Sequence, residues 1–101
     1  MTNENFYQLY QFLGAYFHED WMGDFDSADE VVKSFFDDSD ESTLTAVSEE
    51  INELVSLDMK EVELREFLLK DLGCCYCYWH EWGTGQAWLE HVFSSIQSRK
   101  P

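Results

Sequence analysis

Positive charge is what this chain has least of: six lysines and arginines face 21 aspartates and glutamates in 101 residues, a formal net charge of −15 with a pI near 4.2. Such a surface repels nucleic acid and anionic lipid, because both are bound by cations that displace counterions from phosphate. Direct nucleic-acid and membrane partners are therefore excluded, and a basic macromolecule is the natural partner. Proline is nearly absent, Pro101 being the only one, so helices must be broken by the five glycines and by polar clusters. No apolar run approaches the ~18 residues of a membrane span. The opening MTNENFYQ has neither the basic region nor the apolar stretch of a secretion signal, so a cytoplasmic location is expected. The three cysteines, Cys74, Cys75 and Cys77, lie too close together for a disulfide framework and suit a reducing compartment. No glycine loop suited to phosphate is present, and no cofactor is called for.

Apolar material is plentiful: 45% of residues are hydrophobic and 17% aromatic, which argues against disorder despite the charge. A chain of this length removes ~60–65% of its unfolded surface from water, enough for one domain over 1–101 with its own core. Spacings of three and four place Phe6, Leu9, Tyr10, Leu13, Tyr16 and Phe17 on one face of a helix from about Asn3 to Phe17. Gly14 within it permits close packing. Ser27 with Glu30 forms a capping box ahead of Ala28, Val31, Val32, Phe35 and Phe36. Ser42 is expected to cap a third helix carrying Leu44, Val47, Ile51, Leu54 and Val55, ending near Leu57. Asp58 caps a fourth, with Val62, Leu64, Phe67, Leu68 and Leu72 inward and Gly73 at its end. Thr84 opens a last helix with Trp88, Leu89, Val92, Phe93 and Ile96 inward, frayed near Arg99 and Lys100. The segment CCYCYWHEWGTG has strand-like composition but no strand to pair with, and is read as an extended, packed loop. The expected fold is all-α: a compact single-domain bundle of about five helices with an aromatic, cysteine-rich loop before the last.

The acid is unevenly distributed. Between Glu19 and Glu41 ten carboxylates face the single base Lys33, a self-repulsion that a merely solvated surface avoids by mixing signs. Glu19, Asp20, Asp24, Asp26, Asp29, Glu30, Asp37, Asp38, Asp40 and Glu41 are accordingly the expected charge footprint for a partner. Tyr76 and Tyr78 are possible anchors if exposed, since tyrosine is enriched among interface hot spots; otherwise they belong to the core.

Rival chemistries are weaker. His18 and Asp20 could ligate a divalent metal, but a histidine just past an aromatic helix more often bonds to the chain end or packs beside Trp21. The acids around Asp24 and Asp38 lack the glycine of a calcium loop. Cys74, Cys77 and His80 form CxxCxxH with reach suitable for zinc, which keeps a small zinc or redox protein as an alternative, although a fourth ligand is missing. A nucleic-acid mimic that inhibits or adapts another basic protein is the other alternative.

LYQFLGAYFHEDW near the start, the acidic helical middle and LGCCYCYWHEWGTGQAWLEHV near the end resemble the small immunity proteins of bacterial contact-dependent growth inhibition systems. The resemblance spans nearly the whole chain in order, on motifs that are aromatic and structural. It implies a cytoplasmic protein, without activity of its own, that binds and blocks the toxic carboxy-terminal domain of a cognate delivered effector, in many systems a nuclease. It also implies that Tyr16, Phe17, His18, Asp20 and Trp21 are scaffold, with the aromatic half of that stretch folded inward. A nuclease carries a basic cleft for phosphate, which an acidic surface can occupy while steering encounter to ~10⁸–10⁹ M⁻¹s⁻¹ at low salt.

Overall fold

A computed structural model describes residues 6–99, and within them every regular element is a helix, without a strand. The elements are α1 (Tyr7–Tyr16), α2 (Trp21–Asp24), α3 (Ala28–Asp38), α4 (Glu41–Ser56), α5 (Glu61–Glu66) and α6 (Gly85–Arg99). A π turn, Phe67–Asp71, extends α5, and a 3₁₀ turn, Tyr78–His80, interrupts the loop before α6. The all-α expectation holds, with the four-residue α2 added to the five expected helices. The expected start at Asn3 and the fraying at Lys100 lie outside the described residues.

Local chemistry explains several helix ends. Ser27 Oγ accepts from Glu30 N at 3.2 Å, as the capping box requires. The return bond lands one residue early, Glu30 Oε2 accepting from Asp26 N at 3.1 Å. Thr84 Oγ1 caps α6 by accepting from Ala87 N at 3.0 Å. Gly73 sits at φ 67, the left-handed conformation expected of a helix-terminating glycine. A Cβ there would stand 3.7 Å from Gly14 Cα, so the two glycines let the end of the π turn approach α1.

Two caps differ from expectation. Asp40, not Ser42, caps α4, accepting from Thr43 N at 2.8 Å, and these bonds hold its carboxyl below the usual range. Lys60, not Asp58, precedes α5, with Glu63 Oε1 accepting from Lys60 N at 3.3 Å. Asp58 is instead a positive-φ turn residue at 53°. Tyr10 and Val62, expected inward, are exposed.

One apolar core joins every helix. The neighbours α4 and α6 pack along Val47, Ile51, Leu54, Leu89, Val92 and Ile96, while α1 packs on α4 and presents Phe12 to α3. Phe12 and Phe35 stack at 4.2 Å. A second ring cluster holds the loop: Tyr76 lies 5.5 Å from Phe17 and 5.0 Å from Trp88, and Tyr78 is parallel to Trp88 at 6.1 Å. Ring pairs of this kind add about 0.5–1.5 kcal/mol each beyond area burial. The strand-like composition is thus spent on ring packing, with backbone bonds from Cys74 N to Leu68 O and from Cys75 N to Phe17 O fixing the path.

Candidate functional site

The helix α3 is amphipathic in a way that decides what faces solvent. Ala28, Val31, Val32, Phe35 and Phe36 are buried, and at 100° per residue the opposite stripe carries Asp29, Glu30, Lys33 and Asp37. Glu19, Asp20, Asp24 and Asp26 precede that helix, Asp38 closes it, and Asp40 and Glu41 open α4. All ten carboxylates named from the sequence are exposed. They fall in two groups, one at either end of a helix of 11 residues, which is about 16 Å long.

Several of these side chains are held in place. Asp29 Oδ1 lies 2.9 Å from His91 Nε2, whose ring packs tilted against Trp82 at 4.7 Å. His18 Nδ1 accepts from Asp20 N at 3.1 Å, which leaves the proton of the neutral ring on Nε2, 3.6 Å from Asp24 Oδ2. Tyr16 donates to Asp38 Oδ2 at 2.9 Å, and burial followed by that carboxylate raises the Tyr16 phenol pKa. Hydrogen-bond donors and histidines thus orient the carboxylates, and Lys33 is the one lysine or arginine in the segment 19–41.

Tyr76 and Tyr78 are not surface anchors. They are 3% and 0% exposed, and their hydroxyls turn to carboxylates, Tyr76 to Glu81 at 2.7 Å and Tyr78 to Glu61 at 2.6 Å. Burial and then these hydrogen bonds push both phenols up, that of Tyr78 to about 12. The alternation of the segment explains the correction: Cys74, Tyr76 and Tyr78 point inward, while Cys75 and Cys77 are exposed.

The same alternation undoes the CxxCxxH reading. Cys74 is buried, with its thiol pushed up to about 12 by desolvation, whereas Cys77 and His80 face solvent. Among the described residues no three histidine, cysteine or acidic side chains gather where one metal ion could be held.

Sequence reasoning missed a groove beside the acidic face. Trp21 and Met22 from α2 meet Cys75, Tyr76, Cys77, His80 and Glu81 from the loop around a volume of about 340 Å³. Trp21 Nε1 donates to Cys75 O at 3.4 Å and ties the two walls together. Met22, placed between Asp20 and Asp24, is 72% exposed; a methionine set among acids was the available signal.

The family model described as CdiI immunity protein matches residues 5–96. A chain of the crystal structure of a CdiA-CT/CdiI complex from Y. kristensenii 33638 superposes with a TM-score of 0.89 at 29% identity, over 94% of this chain and 96% of that one. No match was found among curated proteins. The match over almost the whole length shows that the chain belongs to the CdiI immunity protein family, that of contact-dependent growth inhibition.

Proposed function

We propose that this immunity protein acts inside the cell by binding the C-terminal toxin domain of its cognate CdiA protein, that the toxin domain is a basic nuclease, and that the acidic face around α3 is the contact. The observation that carries the reading is the exposure of all ten carboxylates of the segment 19–41 against the single base Lys33. A nuclease holds phosphate in a cationic cleft, and carboxylates kept in fixed positions occupy such a cleft without the reorganisation a flexible acidic tail would need. The chain performs no reaction; it neutralises by occupancy. Steering by the acidic face raises the encounter rate by roughly 10–10³-fold at low salt, which suits an antidote that must reach its target before the substrate does. Membrane insertion plays no part in this reading, since no helix among the described residues is long and apolar enough to cross a bilayer.

The test is charge reversal. Replacing Asp24, Asp26, Asp37 and Asp38 by lysine touches exposed positions only, so the helical circular dichroism persists while association with the cognate CdiA-CT domain slows by about tenfold or more at low ionic strength. Association rates that match wild type across a salt series would remove the acidic face from the binding site.

A further inference from the structure

We propose that the groove between α2 and the loop is the anchoring pocket for a large apolar side chain of the cognate CdiA-CT domain, with basic neighbours of that side chain pairing with Asp20, Asp24 and Glu81. This rests on the reading that the chain binds such a domain, and it adds where the dehydrated centre of the contact lies. Protein interfaces that hold well combine an apolar centre with a charged rim, and a few residues at that centre dominate the energy. The acidic face of α3 has the rim chemistry only. Its apolar side chains all point inward.

The groove has what that face lacks. Its base is built from the rings of Trp21 and Tyr76, fixed edge to face at 5.6 Å. Its wall is Met22, an unbranched side chain that adapts to the shape laid against it and is 72% exposed. The thiols of Cys75 and Cys77 face solvent there, and they lose little on dehydration because sulfur hydrogen-bonds weakly. Charge lies outside this centre: Asp20, the N-cap of α2, and Asp24, its last residue, flank the groove residues Trp21 and Met22 along the chain, and Glu81 closes the opposite side.

The occupant follows from these features. Trp21, Met22, Cys75, Tyr76 and Cys77 carry no charge, so the centre offers a cation little and an apolar group much, while the exposed Glu81 stands at the rim. A second copy of this chain is a poor occupant, because a twofold contact would bring Asp20 and Asp24 against the same carboxylates on a molecule of net charge −15. A cationic protein surface carrying one projecting apolar side chain satisfies both parts.

Alkylation tests this directly. In the free protein iodoacetamide labels Cys75 and Cys77 and spares buried Cys74, which serves as the internal folding control. In the purified complex with the cognate CdiA-CT domain, labelling of Cys75 and Cys77 slows by about tenfold or more. Met22→Glu weakens the complex by about tenfold or more, while Met22→Leu binds within about twofold of wild type. Neither change threatens the core at so exposed a position. A complex that forms while both thiols react at their free rates overturns the groove and leaves the acidic face standing. Failure of the CdiA-CT domain to bind at all overturns both.

Discussion

Glu61 is the residue on which the loop's attachment to the helices turns, and its removal is the most demanding test of the packing described above. One carboxylate oxygen receives the Tyr78 hydroxyl at 2.6 Å and the other receives Gly85 N at 2.9 Å. It thereby joins the first residue of α5 to the loop and to the first residue of α6. Both donors belong to buried residues, so Glu61→Ala strands two hydrogen-bond donors at about 1–3 kcal/mol each. The ion pair with Arg65, 3.8 Å away and half exposed, adds little. An acid in the first turn also favours the helix dipole by about 0.3–1 kcal/mol, which a single substitution cannot separate from the hydrogen bonds. A double-mutant cycle with Tyr78→Phe does. The single changes should cost roughly 2–5 kcal/mol for Glu61→Ala and about 1.5–3 kcal/mol for Tyr78→Phe, with a coupling of about 1–2 kcal/mol between them. Urea denaturation followed by circular dichroism reads all four corners, and at slopes of roughly 1–2 kcal/mol/M these differences move midpoints by about a molar or more. Coupling below about 0.5 kcal/mol would refute the claim that this bond, rather than ring packing alone, locks the loop.

Three further outcomes are expected. Gly85→Ala destabilises although alanine is the better helix former: its Cβ would lie 3.0 Å from both Leu64 Cδ2 and Tyr78 Oη, and overpacking of about 1–3 kcal/mol exceeds a propensity gain that counts for little at a first helical position; a raised urea midpoint would contradict this. Tyr78 keeps its proton to about 12 when folded against 10.0 when unfolded, and Cys74 to about 12 against 9.0. The unfolded chain therefore loses these protons first, so the contribution of the two groups is level below pH about 9 and falls between about 9 and 12; urea midpoints in that window check it, and Tyr78→Phe should shrink the fall. Added sodium chloride should raise the thermal midpoint of the free protein by screening repulsion among the acids and slow its association with the CdiA-CT domain; a lowered midpoint or a faster association would be inconsistent with a face whose acids repel one another.

What could be read from the sequence was mostly what local chemistry decides. Ser27, Thr84 and Gly73 act within a few residues of themselves, and each does what its side chain or its lack of one dictates. Ser42 was misplaced because Asp40, two positions earlier, makes the same local bond to Thr43 N, and Asp58 because the choice was tertiary: α5 begins where Glu61 can meet Tyr78 and Gly85. The exposure of the ten carboxylates was legible from composition and capping alone. The groove was not. It arises where Trp21 meets Cys75 O across 54 residues of chain, and no window along the sequence contains both walls. Tyr76 and Tyr78 could not be assigned to core or surface until the end of α1 and the helix α6 supplied Phe17, just past α1, and Trp88 as ring partners.

The division of the stretch AYFHEDWMGDFD follows from this packing. Phe17 and Trp21 are buried in the ring cluster, Phe25 packs against it, and Asp20, Met22, Asp24 and Asp26 are left outside. Repulsion among those acids works against the folded state, yet it acts on a segment that is fixed from beneath by Phe17, Trp21 and the Cys75 backbone. Contact with a cationic surface removes the repulsion without asking the segment to move. On the proposed reading the free-energy gain on binding includes relief of a repulsion already present in the unbound protein, which is the physical advantage of setting like charges on a rigid aromatic base rather than on a flexible tail.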